Sequence, residues 1–271
     1  MKKDTMLSVI IPCYNSGLYL PEAIASISLY KNKYPHEVIV VDDGSTDSNT
    51  LEVLEKIKLL GYIVIRQENH GPASARNTGV QFSKGKYLLF LDSDNKIKAN
   101  GIDDCIEILE SNPEIGVVYG NPNFFGDSTQ PRFIPKEFNL KTLLIDNYID
   151  VCSIVRKKVW ADIGGFDEEK FLIGIEDWDF WIRTAAAGWK FYHKNEILYD
   201  YRIRHDSVIV SGKQSSRATK RLEYFYSKHA QLLLKNYKDL HHISNIYKND
   251  RDRPLRSFFK YMYYKMCNKS V

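Results

Sequence analysis

Lys86-Tyr-Leu-Leu-Phe-Leu-Asp-Ser-Asp-Asn95 is a run of core-type residues that ends on two carboxylates, Asp92 and Asp94, spaced i, i+2. Residues two apart in a strand share a face, so both acids project from the carboxyl end of a hydrophobic strand into one crevice. Two like charges there need a partner. A hard divalent cation such as Mg²⁺ or Mn²⁺, held by one or two carboxylates, completes its shell with substrate phosphates. The alternative is an acidic strand-to-loop turn that is merely solvated, and Asp-x-Asp alone does not decide between the two.

Towards the amino terminus, short apolar runs alternate with segments of helical period. Leu7 to Ile11 reads as a strand, after which Leu20, Ala23, Ile24 and Ile27 recur on one helical face with Pro21 in the first turn. Val38 to Val41 is the next strand, followed by a helix from about Asn49 to Leu60 ended by Gly61, and a strand at Tyr62 to Arg66. A helix around Ala73 to Phe82, ended by Gly85, leads into the strand that carries Asp92. This βαβαβαβ order predicts an α/β fold, an open and mostly parallel sheet with helices on both faces. Such sheets bind ligands at the carboxyl ends of their strands. Pro12 to Asn15, Asp42 to Asp47 and Asp92 to Asp94 all fall at those ends.

Further on, a helix is expected at Asp103 to Leu109 and a strand at Gly116 to Tyr119. Asn121 to Lys136, rich in Pro, Asn and Phe, reads as a loop over the site. Short strands and a tryptophan-rich helix mix between Asp150 and Arg204, and long helices are expected at Ser215 to Tyr237 and Pro254 to Met266.

The 271 residues, 44% hydrophobic and 27% charged, suffice for one large domain with or without an appendage. No stretch approaches the roughly 18 consecutive apolar residues of a membrane span. Met1 to Met6 leads straight into the first strand without a signal-peptide core, so a cytoplasmic protein is expected. Cys13, Cys105, Cys152 and Cys267 lack paired spacing and read as reduced, mostly buried thiols. Charge is uneven along the chain. Residues 1 to 199 carry 22 Lys/Arg against 28 Asp/Glu, net −6, whereas residues 200 to 271 carry 16 against 6, net +10. The partner of the carboxyl-terminal segment is therefore expected to be anionic.

Two further constellations carry chemistry. Val40-Val-Asp-Asp-Gly-Ser-Thr-Asp47 ends a strand on two acids, turns at Gly44 and supplies helix caps, an arrangement suited to a polar ring and a ribose. Asp43 could accept hydrogen bonds from the N–H of a uracil-like base or from ribose hydroxyls, while Ser45, Thr46 and Asp47 could simply cap the next helix. Gly174-Ile-Glu-Asp-Trp-Asp-Phe-Trp-Ile-Arg183, if helical from Glu176, crowds Glu176, Asp177 and Asp179 into a first turn at the positive end of the dipole. Acids there can be structural, and a carboxylate held in a partly buried cleft is also what a general base needs. Trp178 and Trp181 beside it could form an apolar wall for a sugar ring.

Taken together with Ser8-Val-Ile-Ile-Pro-Cys-Tyr-Asn15 and Gly71-Pro-Ala-Ser-Ala-Arg-Asn-Thr-Gly79, these motifs resemble family 2 glycosyltransferases of the GT-A fold, in the family's order over roughly residues 7 to 205. The resemblance implies a Rossmann-like catalytic domain over residues 1–210, with a nucleotide-binding half to about 95 and an acceptor half from about 96. Residues 211–271 would then be a basic, aromatic, helical C-terminal extension. It further implies an inverting, metal-dependent transfer of one sugar from a nucleoside diphosphate donor, UDP above all, to an acceptor hydroxyl in polysaccharide or glycoconjugate synthesis. Carried over residue by residue, Pro12, Tyr14, Asp43, Arg76, Asp92 and Ser93 belong to the nucleotide site, and Asp92 and Asp94 hold Mn²⁺ or Mg²⁺. Asp177 is then the catalytic base, with Glu176, Trp178 and Trp181 at the acceptor and sugar. His205, in Tyr201 to Ser207, matches a segment where some members supply a metal ligand.

The Gln-x-x-Arg-Trp signature of processive synthases is absent, Gln214-Ser-Ser-Arg-Ala218 being a poor imitation, so a single addition is favoured. Alternatives are a sugar nucleotidyltransferase, which would want a Gly-rich phosphate loop after the first strand, and a noncatalytic nucleotide-sugar binding module. No nucleic-acid module is recognisable. Arg251, Arg253, Arg256, Lys260, Lys265 and Lys269, interleaved with seven aromatic and Met residues from Phe258 to Met266, could instead hold the chain at an anionic membrane, presenting it to a lipid-linked, saccharide or protein-linked acceptor. Packing of those aromatics on the domain is the competing expectation.

Overall fold

Alternate residues of the first strand face opposite ways, and both sets are largely buried, which marks a strand covered on two sides. In the computed structural model, which describes residues 5–30, 33–205, 215–252 and 255–256, β1 (Leu7–Cys13) sends Leu7, Val9, Ile11 and Cys13 to one core and Ile10 to another. The first core is closed by α1 (Leu20–Ser28), α2 (Ser48–Leu59) and α4 (Ile102–Ser111). The second is closed by α3 (Pro72–Phe82), α5 (Leu140–Leu143), α6 (Lys157–Ile163) and α7 (Glu176–Ala186). Each buried Val, Leu or Ile contributes about 2 kcal/mol.

The strands β2 (His36–Asp42), β3 (Ile63–Arg66), β4 (Tyr87–Phe90), β5 (Lys96–Ile97), β6 (Ile115–Gly126), β7 (Ile154–Arg156) and β8 (Lys190–Ile203) complete one eight-stranded sheet in the order β3-β2-β1-β4-β7-β6-β8-β5. From β3 to β4 every pairing is parallel, as the alternation predicts. The other half is mixed, since β4 pairs β7, β6 pairs β7 and β5 pairs β8 in antiparallel fashion.

The expected loop from Asn121 corrects in part. Asn121 to Gly126 continues β6 alongside β8, with register shifts at Gly120, Asn121 and Pro122. A proline cannot donate to a ladder and is tolerated at such an irregularity, which is why composition hid the strand. The long helix expected from Ser215 divides at His229 into α8 (Ser215–Lys228) and α9 (Ala230–Asp252).

Cys13, Cys105 and Cys152 are free and buried. Among the described residues no helix is long and apolar enough to cross a membrane. Cys267 and the basic, aromatic stretch from Phe258 lie outside the described residues.

α3 rides unusually close to the sheet. A Cβ on Gly79 would sit 2.4 Å from Cγ2 of Ile10 on β1, so only glycine allows this approach, and the approach brings Arg76 of the same helix over the strand ends.

Candidate active site

The loops after β1 and β2 are locked together by one side chain. Asn15, in the left-handed conformation at φ 49°, accepts the backbone N–H of Thr46 at 2.8 Å and of Asp47 at 3.2 Å, and gives its own N–H to Ser45 Oγ at 3.0 Å. Asn is among the few residues that adopt this conformation at low cost. Asp47 is the cap of α2, accepting from Thr50 N at 2.8 Å. Asp43 does more than the sequence suggests. Its buried carboxylate accepts Gln67 Nε2 at 2.8 Å, His70 N at 3.0 Å and Gly71 N at 2.8 Å, and so shapes the entry to α3 while facing a cavity. Three of a carboxylate's roughly four acceptor sites are thereby used, which leaves one for a ligand.

That cavity, of about 470 Å³, lies at the carboxyl ends of β1, β2 and β4. Its size suits a small ligand or cofactor. Pro12, Tyr14, Asp43, Arg76, Asp92, Ser93, Asp94, Glu176 and Asp177 all line it, so most of the side chains nominated from sequence converge.

At its floor Arg76, 4% exposed, donates to Asp92 Oδ1 at 2.7 Å and to Glu176 Oε1 at 2.8 Å. Burial opposes the guanidinium's charge, but Asp92 and Glu176 outweigh it and raise its pKa further. Among the described residues its buried Nε has no partner. Glu176 spends its other oxygen on Gly174 N at 2.6 Å, so its carboxylate serves to hold Arg76. Burial, and next the charge of Asp92, raise the pKa of Asp94, against the pull of Arg204 at 3.2 Å from Oδ2.

Asp177, the second residue of α7, lines the same cavity beside Glu176. Its Oδ1 accepts Trp178 N at 2.8 Å and its Oδ2 accepts Asn147 Nδ2 at 3.1 Å. Burial and the neighbouring charge of Glu176 push its pKa from 3.8 up to about 7, where it can both take and release a proton near neutrality.

Two expectations need correction. Trp178 and Trp181 are 7% and 0% exposed, and their indole N–H groups are spent on the carbonyls of Leu143 (2.5 Å) and Ile149 (2.9 Å). Both rings belong to the core, because helical spacing turned them inward from the same helix that points Asp177 outward. His205 does not line the cavity. Its imidazole is exposed and its backbone N–H goes to Asp127 Oδ2 at 2.9 Å, while its neighbour Arg204 reaches Asp94.

The structure adds residues that sequence reading missed. Asp150 lines the cavity, accepts Cys152 N at 2.9 Å, and is raised well above the usual carboxylate range by burial and by the charge of Asp92. Arg202 and Arg204 enter from the end of β8, Arg202 binding Asp94 O at 2.9 Å and both stacking on Tyr19 at 4.8 and 4.6 Å. The net positive charge after residue 200 was the signal that could have found these arginines. For Asp150, whose neighbours are apolar or small, no local signal exists.

The description Glycosyl transferase family 2 matches residues 8–164, more than half of the chain and inclusive of Asp92 and Asp94. The chain belongs to glycosyltransferase family 2. Among the relatives of this chain, an uncharacterised glycosyltransferase of Haemophilus influenzae is 32% identical over 235 residues, covering 82% of this chain and 78% of that one. The chondroitin synthase of Pasteurella multocida is 29% identical over 222 residues, covering 78% of this chain and 22% of that enzyme. The fold is similar to that of S. aureus TarS in complex with UDP-GlcNAc, with a TM-score of 0.63 and 26% identity over 76% of this chain and 61% of that one. The chain thus spans about a fifth of the chondroitin synthase and under two thirds of the TarS chain. Its architecture, an α/β sheet with flanking helices, is the GT-A fold.

Proposed function

We propose that this glycosyltransferase moves a single sugar from a UDP-sugar to a saccharide hydroxyl by direct displacement with inversion. The observation that carries the reading is the convergence on one cavity of Asp177, with its pKa near 7, and the Asp92, Asp94, Arg76 cluster. A base and a charged diphosphate cradle lining one cavity are what a single displacement needs, because the nucleophile must lose a proton as the leaving group gathers charge.

Asp177 takes the proton of the incoming hydroxyl, oriented by the hydrogen bond from Asn147. Arg76, held charged by its two carboxylates, and Arg204 at the mouth offer positive charge to a departing diphosphate. Asp43 and the Asn15-locked loops form the base and ribose side of the cavity.

The paired oxygens of Asp92 and Asp94 fit Mg²⁺ or Mn²⁺, which such sites hold with one or two carboxylates plus phosphate oxygens. The raised pKa of Asp94, partly owed to the charge of Asp92, is the electrostatic tension a cation would relieve. When bound, the metal would neutralise developing charge on the diphosphate. Among the described residues no group of three or more His, Cys, Asp or Glu is arranged to hold a metal, so substrate oxygens would complete the shell.

UDP as the nucleotide is supported by the UDP-GlcNAc complex of TarS, and a polysaccharide acceptor by the chondroitin synthase among the relatives. The test is a screen of UDP-, GDP- and dTDP-sugars for nucleoside diphosphate release with and without Mn²⁺. Release from UDP-sugars that depends on Mn²⁺ is expected, and its absence with every donor would remove the reading.

A further inference from the structure

The helix that carries Asp177 is gripped from behind by the carboxyl-terminal extension. Asp179 lies two residues beyond Asp177 and is 0% exposed. An isolated carboxylate there would be strongly disfavoured, yet three cationic or donor groups converge on it. Arg183 Nε reaches Oδ2 at 2.7 Å from within α7, while Lys228 Nζ at 2.7 Å and His229 Nε2 at 2.9 Å reach Oδ1 from the α8–α9 junction. Burial would raise the pKa of Asp179, but the His229 hydrogen bond and the charges of Arg183 and Lys228 pull it down to about 2.

The same stretch of α8 supplies packing as well as charge. Phe225 is 0% exposed, lies over Trp178 at 4.2 Å between ring centroids, and meets the His229 ring edge-on at 4.9 Å. Lys228 also holds Asp167 at 2.5 Å, which ties the loop before α7 to the same anchor. Phe225, Lys228 and His229 share one face of the helix turn and fix the first turn of α7 on the side away from the cavity. None of them lines the cavity.

We propose that Phe225, Lys228 and His229 are positioning residues for the transfer step, setting through Asp179 and Trp178 the angle at which Asp177 faces the acceptor hydroxyl. The extension is then part of the catalytic unit and not an appendage to it. This rests on the assignment of Asp177 as base. A group held to within tenths of an ångström loses much of its rate when its support relaxes, and a displacement of about 1 Å can cost about 10²-fold.

The experiment compares His229→Ala, His229→Gln, Phe225→Leu and, as a control on the exposed face of α9, Tyr237→Ala, all in the full chain. Donor KM, kcat and hydrogen exchange of α7 amides are measured for each. His229→Ala and Phe225→Leu should lower kcat about tenfold or more with donor KM within twofold, and accelerate exchange at the start of α7. His229→Gln, whose amide can still donate to Asp179, should recover most of the loss, and Tyr237→Ala should match wild type. Unchanged kcat in folded His229→Ala and Phe225→Leu, or an equal rise in KM, overturns the proposal. If wild type releases no diphosphate from any donor, the functional reading fails by itself. The positioning claim is then decided by α7 exchange and UDP calorimetry, and is overturned if exchange in both variants equals wild type.

Discussion

Replacing the base should cost activity and add stability, with a pH dependence whose sign is fixed by the direction of its pKa shift. In Asp177→Asn the amide oxygen still accepts Trp178 N and the volume is unchanged, but the amide NH2 then faces Asn147 Nδ2 and that one hydrogen bond is lost, which takes part of the stability gain away. The native carboxyl has its pKa raised from 3.8 to about 7 by burial and by Glu176. A group whose folded pKa lies above its unfolded value stabilises the fold fully only when protonated. Its penalty therefore grows as pH rises from about 4 to about 7, and is complete above that. The difference between 3.8 and about 7 corresponds to about 4 kcal/mol at most, and partial solvent contact of the carboxyl reduces the expected gain to about 1 to 2 kcal/mol. Urea unfolding of wild type and Asp177→Asn should therefore differ by that amount at pH 8 and coincide near pH 4. Transfer should fall by about 10²-fold or more in the variant with donor affinity retained. In the wild type the acid limb of kcat/KM should titrate near pH 7, the base being about one tenth ionised at pH 6 and about nine tenths at pH 8. A variant no more stable than wild type at pH 8, or an acid limb centred below pH 5, would refute the claim that Asp177 is a destabilised, catalytically poised carboxyl.

Asp94→Ala should abolish metal-stimulated release of UDP in a folded protein, and calorimetry with UDP and Mn²⁺ should show the lost coupling; retained metal stimulation would count against the carboxylate pair as the cation site. Arg76→Met leaves Asp92 and Glu176 facing each other across a buried gap without a cation, and should lower unfolding free energy by about 3 kcal/mol as well as silence turnover. A loss of turnover with unchanged denaturant midpoint would confine Arg76 to chemistry. Gly79→Ala, whose new Cβ would meet Ile10 at 2.4 Å, should cost about 1–3 kcal/mol, and the lifted α3 should weaken UDP binding as Arg76 withdraws from Asp92.

What the sequence by itself determined were features written in neighbouring residues. The short apolar runs Leu7 to Ile11 and Tyr87 to Phe90, the helix stripes between them, and acids placed where an apolar run stops are all local. Local periodicity specifies which face a side chain takes, so the parallel half of the sheet and the positions of Asp43, Asp92, Asp94 and Asp177 were legible. Only the tertiary structure decided which of these charges face one another. Arg76 and Glu176 are 100 residues apart in sequence, and Asp94 and Arg204 are 110 apart, yet each pair shares a hydrogen bond. The same distance effect turned Trp178 and Trp181 from an imagined sugar wall into core, replaced His205 by Arg204 at the cavity, and brought Asp150 beside Asp92. Helical spacing tells that one face is buried, but not against what. That depends on α8 folding back over α7, and the free energy that selects this arrangement comes from contacts between segments with no common local pattern.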